Sequence, residues 1–460
     1  MNDHSVNPFS LPTALSLVTY SSVILNNNHD VSLVNHMHDD CLFVLGLALS
    51  ETLGLSCQKG RSNLTWIVSI LILFVVLIWA DFQYGRWHHK KHIHKLTFKL
   101  RKSDVELHED GEALFTKLFH EIHKAQHHVH VLFFVASEDD ISQRFFALLR
   151  QKAREGVQVR LLLDRVGSLK VGKKTVRRLR EDGVLVAFCH TPRFPGFFYS
   201  LQERNHRKIT VIDGNIGFFG GFNIGEQYVN HDPQMAPWKD FHLRFTGEGV
   251  EDLQRQFLTD WQEATKDHLV NDDEYFPKLE PGTLAHRFSA SEGVELEGIY
   301  CEFVQKSRTS LVIGSPYFIP SKKLFQAVLD ACERGVQVSV IVPFKKDHPL
   351  VKEAAFPYFR KLLQAGGTVY QFQNGFYHTK VLVRDDEVCD IGTANFDKRS
   401  LYLNHELNCY FFDRTFVQKV RTRLARHMEG STELTYEQLT KPNFVRSIKE
   451  WSAKTVSYFL

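Results

Sequence analysis

His206-Arg207-Lys208-Ile209-Thr210-Val211-Ile212-Asp213, closed by Gly220-Gly221-Phe222-Asn223, returns later in kind. The second copy is His378-Thr379-Lys380-Val381-Leu382-Val383-Arg384-Asp385, closed by Gly392-Thr393-Ala394-Asn395. Histidine, lysine, aspartate, glycine and asparagine fall at the same offsets in both copies. Residues two apart on a strand project from one face, so each histidine and lysine are expected side by side. Ile209 and Val211, like Val381 and Val383, continue the alternation as a buried strand does.

These residue types suit phosphate chemistry. A phosphodiester is anionic and gathers charge as a nucleophile adds, so ammonium and amide groups belong around it. A neutral imidazole attacks phosphorus, and a protonated one supplies the leaving alkoxide with a proton. Two histidines meeting across one phosphate cover both tasks. The copies therefore predict two similar halves closing on one shared site.

The duplication extends beyond the motif. Arg154-Glu155-Gly156-Val157-Gln158-Val159 returns as Glu333-Arg334-Gly335-Val336-Gln337-Val338. Each follows a helical pattern (145–153; 324–332), stops at glycine and enters an apolar strand (157–163; 336–342). A further strand candidate precedes each unit (128–136; 310–316). Such alternation reads as a layered α/β fold, and 460 residues accommodate two units of ordinary domain size. Pro277, Pro281, Gly282 and Gly293 mark 271–293 as the linker between halves 104–270 and 294–440.

The doubled pattern resembles the phospholipase D superfamily, and the likeness runs over residues 104–440. Within it the chain is most similar to bacterial cardiolipin synthases. That similarity is carried by Asn205-His206-Arg207-Lys208, Gly220-Gly221-Phe222-Asn223-Ile224-Gly225 and Trp238-Lys239-Asp240-Phe241-His242-Leu243-Arg244. Ser315-Pro316-Tyr317-Phe318-Ile319-Pro320 and Gly392-Thr393-Ala394-Asn395-Phe396-Asp397-Lys398-Arg399-Ser400 complete it. The resemblance implies two pseudo-symmetric α/β/α sandwich halves around one active site. Its catalytic set maps to His206, Lys208, Asp213, His378, Lys380 and Asp385, with Asn223 and Asn395 binding substrate phosphate. Asp213 and Asp385 fall at strand ends, where holding a turn is the expected task. Asp240 and Glu406 are the acids implied to bond the far ring nitrogen of a catalytic histidine. Gly221 departs from the pattern, which often carries serine there.

The activity implied is phosphatidyl transfer between two phosphatidylglycerol molecules, giving cardiolipin and glycerol through a phosphatidyl-histidine. His206 is the implied nucleophile, though near-symmetry leaves His378 open. Water as acceptor would make the same site a phospholipase D-type hydrolase releasing phosphatidic acid. No cofactor or metal is implied, because one phosphodiester replaces another. Phe194, Phe197, Phe198, Tyr199, Tyr317 and Phe318 are expected to keep water from the phosphate.

Location is written near the N-terminus. Residues 64–80 carry no charge and are flanked by Trp66 and Trp79, as in interfacial belts. At about 1.5 Å per residue the run covers roughly 26 Å, enough for the hydrocarbon layer. A transmembrane helix is expected over 63–83, with a basic juxtamembrane segment over 84–103. Arg86, Lys90, Lys91, Lys95, Lys99, Arg101 and Lys102 follow the span, whereas Lys59 and Arg61 face five acids in residues 1–62. The positive flank predicts a cytosolic catalytic region. Residues 1–62 form an extension whose apolar 41–56 stretch permits a second span; 11–25 is too short and hydroxyl-rich for one.

The formal net charge of +3 gives no overall pull toward nucleic acid; anionic membrane lipids are the expected partners. Seven cysteines without a C-x-x-C pair argue against a disulfide framework, and Cys189, Cys301, Cys332, Cys389 and Cys409 read as core fillers. The histidines at 88, 89, 92, 94, 120, 123, 127, 128 and 130 lack neighbouring carboxylates in sequence and read as solvated or headgroup-facing. Two alternatives stand for 193–199: an exposed apolar lip or buried loop aromatics. Phe444, Val445, Ile448, Trp451, Thr455, Val456 and Phe459 mark one apolar stripe over 441–460, expected as an interfacial helix rather than a docked one.

Overall fold

The computed structural model describes residues 62–93 and 96–460; the readings for 11–25, 41–56, Lys59, Arg61, His94 and Lys95 lie outside them. The chain divides into two units, Met1–Ala80 and Asp81–Leu460. In the first, helix Ser62–His92 begins with an apolar stretch whose side chains stand exposed, Trp66 at 69% and Phe74 at 59% among them. Thr65–His92 is long and apolar enough to cross a membrane.

The second unit is built on one sheet that reads alike from either end, except that Ser431–Glu433 adds an antiparallel strand outside Thr368–Phe372 at one edge. In the first half, strands Leu185–Cys189, Gln158–Asp164 and His128–Phe133 run parallel. Antiparallel strands Ile209–Ile212, Ile216–Gly220, His242–Gly247 and Arg101–His108 follow in that order. The second half repeats the arrangement. Thr368–Phe372, Gln337–Pro343 and Ser310–Gly314 are parallel, followed by Val381–Arg384, Val388–Gly392, Asn404–Phe411 and Leu284–Glu292. The halves join where Arg101–His108 pairs antiparallel with Leu284–Glu292, at Arg101 opposite His286.

Leu284–Glu292 corrects the linker reading of 271–293. Prolines and glycines do punctuate its first part, but His286 and Phe288 are buried on alternate positions of a central strand. The seam between halves is therefore sheet.

Helices cover both faces, which makes each half an α/β/α sandwich. Helices Asp140–Arg154 and Lys322–Glu333 occupy corresponding places, capped by the side chains of Asp139 and Ser321. Their buried residues, Phe145, Phe146 and Leu149 against Leu324, Val328 and Ala331, lie on the helical period the sequence shows. On the other face Gly249–Thr265 and Arg414–Glu429 enclose a core shared by both halves, with Phe219, Phe245, Phe288, Leu407 and Phe411. Cys189, Cys301, Cys389 and Cys409 are buried, and all five described cysteines are free.

The tail is docked, in contrast to the interfacial expectation. Helix Phe444–Val456 buries Ala453 and ties Glu450 to Arg360, at 2.5 Å, on helix Val351–Gln364. Phe459 packs on Phe82 and Phe198. Yet Phe444, Val445, Ile448 and Trp451 remain outward, 49–80% exposed. Docking uses Ala453, Glu450 and Phe459 and leaves the first part of the apolar stripe free.

Candidate active site

Each histidine motif follows a two-residue ladder between the halves. Arg204–Asn205 pairs parallel with Asn404–His405, and Trp238–Lys239 pairs parallel with Phe376–Tyr377. The next residues form the site. His206 N–H donates to the His405 carbonyl at 2.9 Å, and His378 N–H donates to the Lys239 carbonyl at 2.7 Å. Glu406 follows His405 and Asp240 follows Lys239, so each ladder delivers one imidazole and one carboxylate to the same place.

The pairs are crossed. His206 Nδ1 lies 2.9 Å from Glu406 Oε2, and His378 Nδ1 lies 2.5 Å from Asp240 Oδ2. A carboxylate takes the ring Nδ1–H, which leaves the Nε2 lone pair for chemistry. Lys380 Nζ also lies 2.6 Å from His378 Nδ1, but the ionised Asp240 is the stronger acceptor. Lys380 then donates to the His378 carbonyl and, at 3.4 Å, to Asp240. Lys208 donates to the His206 carbonyl at 2.6 Å. The motifs themselves are extended but belong to no strand; the strands begin at Ile209 and Val381 because the histidine N–H groups are spent on the opposite half.

Burial and charge set the protonation states. Burial, helped by Lys380, pushes His378 down to about 4. His206 is lowered by burial and by Lys208 and Lys380, against the pull of Glu406. Both rings are therefore neutral. Burial and Lys380 bring Lys208 down to about 7, and burial also lowers Lys380. Burial opposes ionisation of Asp240 and Glu406, but Lys380 with His378, and His206 with Lys208, hold them below the carboxylate range. Lys380 acts on Lys208, and both acids act on both lysines: the two motifs share one electrostatic site.

Asn223 and Asn395 are buried beside it. Asn223 Oδ1 accepts the Val135 N–H at 3.0 Å and its amide donates to Tyr228. Asp213 and Asp385, counted with the catalytic set, stand outside the site. Asp213 accepts the backbone N–H groups of Gln126, His127 and His128, and Asp385 those of Arg308, Thr309 and Ser310. Both sit at left-handed turns, φ 51° and 54°, so they fasten the strand ends as their position implies.

The missing hydroxyl at Gly221 has a steric cause. A Cβ there would lie 2.2 Å from Asp240 Oδ1, so the carboxylate fills the space a side chain would need. At the matching place in the second half, Thr393 keeps its hydroxyl and donates to Glu406 at 2.6 Å. Ser400 and Asn404 donate to Glu406 as well.

The aromatic expectations need correction. Phe134 meets His206 edge-on at 5.0 Å, and Trp238 lies 4.8 Å from His378; neither was singled out for this task. Phe318 is instead buried in the second half, stacked on Phe396, whereas Tyr317 bonds Asp347, whose charge acts on His378 and Lys380. The 193–199 segment divides. Phe194 is 80% and Phe197 38% exposed, stacked 4.8 Å apart, while Tyr199 is buried against Phe82. Asp81 caps this segment by accepting the N–H groups of Gly196, Phe197 and Phe198. Gly85 permits the approach, since a Cβ there would lie 2.5 Å from Tyr199 Cβ.

Several histidines also depart from the solvated reading. His128 and His130 are buried, and His89 reaches Glu203. Sequence proximity could not show that carboxylate, which arrives from another segment.

Two imidazole–carboxylate pairs and two lysines, shared by duplicated α/β halves, define a phosphodiester-handling protein of the phospholipase D type. Residues 118–261 and 300–428 match the family described as "Cardiolipin synthase, PLD-like domain". Over 394 residues the chain is 43% identical to "Minor cardiolipin synthase ClsB" of Bacillus subtilis, covering 86% of this chain and 98% of that protein. "Major cardiolipin synthase ClsA" of the same organism is 36% identical, covering 78% and 76%. The crystal structure of a phosphatidylserine synthase from Haemophilus influenzae shares the fold, with TM-score 0.62 and 16% identity, over 82% of this chain and all of that one. The chain belongs to the cardiolipin synthase family of phospholipase D-like proteins.

Proposed function

We propose that this protein is a membrane-anchored phosphatidyltransferase that converts two phosphatidylglycerol molecules into cardiolipin and glycerol. The crossed His206–Glu406 and His378–Asp240 pairs carry the reading, since they present two oriented Nε2 atoms to one lysine-lined place.

In the first step His206 Nε2 attacks phosphorus, and the bond to the headgroup glycerol oxygen breaks. His378, holding a proton in the complex with the anionic phosphate, gives it to that oxygen. Asp240 stabilises the imidazolium that donates. In the second step His378 Nε2 takes the proton from a glycerol hydroxyl of the second phosphatidylglycerol. That oxygen attacks phosphorus, the N–P bond breaks and His206 is regenerated. Lys208 and Lys380 offset the charge on the phosphoryl oxygens throughout, and Asn223 and Asn395 line the same site. The reverse assignment of the two histidines uses the same atoms.

The basic residues after the apolar helix support a cytosolic catalytic region. Near-neutral charge supports lipid rather than nucleic acid as the partner.

The deciding experiment sets transfer against hydrolysis. Purified protein given phosphatidylglycerol vesicles should form cardiolipin and free glycerol in equal amounts, and excess glycerol should drive the exchange backward. Water is at about 55 M in bulk, so transfer requires a dry site and an acceptor held in line. Phosphatidic acid as the main product would make the protein a phospholipase.

A further inference from the structure

A second group of chemically capable side chains lies outside the phosphate site. His89, His190, Glu203, Glu263, Glu292 and His405 border one cavity of about 560 Å³. Glu203 is its centre. Its Oε1 lies 2.8 Å from His89 Nδ1 and 3.1 Å from His405 Nε2, and its Oε2 lies 3.8 Å from His190 Nδ1. Glu203 and His405 are buried, at 4% and 3% exposure.

The bonding of these rings is incomplete with protein atoms alone. His89 Nε2 lies 2.7 Å from the Glu292 carbonyl oxygen, which can only accept, so that nitrogen carries a proton. Either a second proton or a bound cation must then lie between Nδ1 and the Glu203 carboxylate oxygen. His405 Nδ1 is buried without a partner among the described residues.

We propose that His89, Glu203, His405 and His190 form a binding site for a zinc-class divalent cation. Three imidazoles and one carboxylate are a donor set that zinc accepts in tetrahedral geometry. Ligands about 2.0–2.1 Å from such an ion lie roughly 3.3 Å from one another. The distances from Glu203 to the imidazoles straddle that value; His89, Glu203 and His405 already hold their donor atoms within 4.8 Å of one another, and His190 must turn in toward them to complete the set.

The ligands come from four segments. His89 is on helix Ser62–His92, His190 follows strand Leu185–Cys189, Glu203 ends helix Phe197–Gln202, and His405 lies in strand Asn404–Phe411. The last two lead within a few residues to His206 and Glu406. The ion is a structural tie that fastens the end of the apolar helix to the segments positioning one catalytic pair. No atom of the phosphate chemistry is a ligand.

The test uses the full-length protein purified in detergent, loaded with zinc and dialysed against zinc-free buffer. About one zinc per chain should remain. Cobalt in its place should show the intense visible bands of a four-coordinate site. Glu203→Gln and His89→Gln should each lose the metal and the bands, whereas His88→Gln, on the exposed neighbouring position, should keep both. Chelation should lower the thermal unfolding temperature of the wild type but not of His89→Gln. Folded wild-type protein that retains no zinc, or retention by Glu203→Gln, would overturn the site and leave a proton-bridged ion-pair cluster. The wild-type measurement decides even where a variant fails to fold, and neither metal content nor the cobalt spectrum depends on the identity of the lipid substrate.

Discussion

Asp240 orients His378 from the opposite half of the molecule, across 2.5 Å and 138 positions of chain. Glu406 does the same for His206 across 200 positions. Each catalytic imidazole thus takes its carboxylate from the other half.

His206→Ala and His378→Ala should therefore each abolish transfer, by on the order of 10³-fold or more, and the double variant should be little worse than either. Turnover of radiolabelled phosphatidylglycerol measures all three. Acid-labile lipid label retained on one single variant would identify the nucleophile. Substantial turnover in either single variant would contradict a shared site.

Gly221→Ser should damage the second pair selectively. The new Cβ and hydroxyl occupy the place of the Asp240 carboxylate, which must swing from His378. A displacement of about 1 Å at such a site costs on the order of 10²-fold in rate. Thr393→Ser, which keeps the hydroxyl bonded to Glu406, should retain most activity. Rates for the two variants, with circular dichroism to verify folding, separate this from general disruption.

The free enzyme should work within a pH window. His206, lowered by burial and by the two lysines, is neutral and nucleophilic until acid protonates it, whereas Lys208, at about 7, loses its charge as pH rises past that point. A plot of kcat/KM against pH should fall in acid, as the His206 imidazole takes up a proton, and again above about 7 as Lys208 loses its own, since that ratio reports groups of the free enzyme. Lys208→Arg keeps its charge and should remove the upper limb, at some loss of rate. A limb near pH 7 that survives this substitution would assign it to another group.

Phe444→Ser combined with Trp451→Ser should lower turnover on phosphatidylglycerol vesicles severalfold, because the apolar helix still anchors the protein while the stripe no longer seats against the lipid surface. Rates on detergent-dispersed lipid should be unchanged, because neither residue takes part in the docking through Ala453 and Glu450. Turnover on anionic vesicles, alongside the detergent assay, reads both. Equal losses in the two assays would make the stripe part of the fold rather than a lipid contact.

The doubled motif carried much of this in the sequence. The offsets of His206, Lys208 and Asn223 against His378, Lys380 and Asn395 announced two halves, and the apolar runs after each lysine became buried strands. Asp240 and Glu406 were recognisable as acids for the histidines, but the crossing was not, because no local pattern records a partner in another half. Strand Leu284–Glu292 was hidden by the prolines and glycines just before it. Phe134 and Trp238 differ in no local way from other core aromatics, and only tertiary packing sets them against the catalytic rings. His89 illustrates the same limit, since its carboxylate lies far along the chain.

The reciprocal ladders also bear on synthesis. Chains emerge from the ribosome N-terminus first, and contacts distant in sequence form late. When the first half has been made, its strands can pair among themselves, but His206 waits for Glu406 and Asp240 has no imidazole to hold. A nascent chain, or one truncated before residue 404, is thus inert toward phospholipid, and attack on the membrane begins only once strand Asn404–Phe411 has been inserted with Glu406.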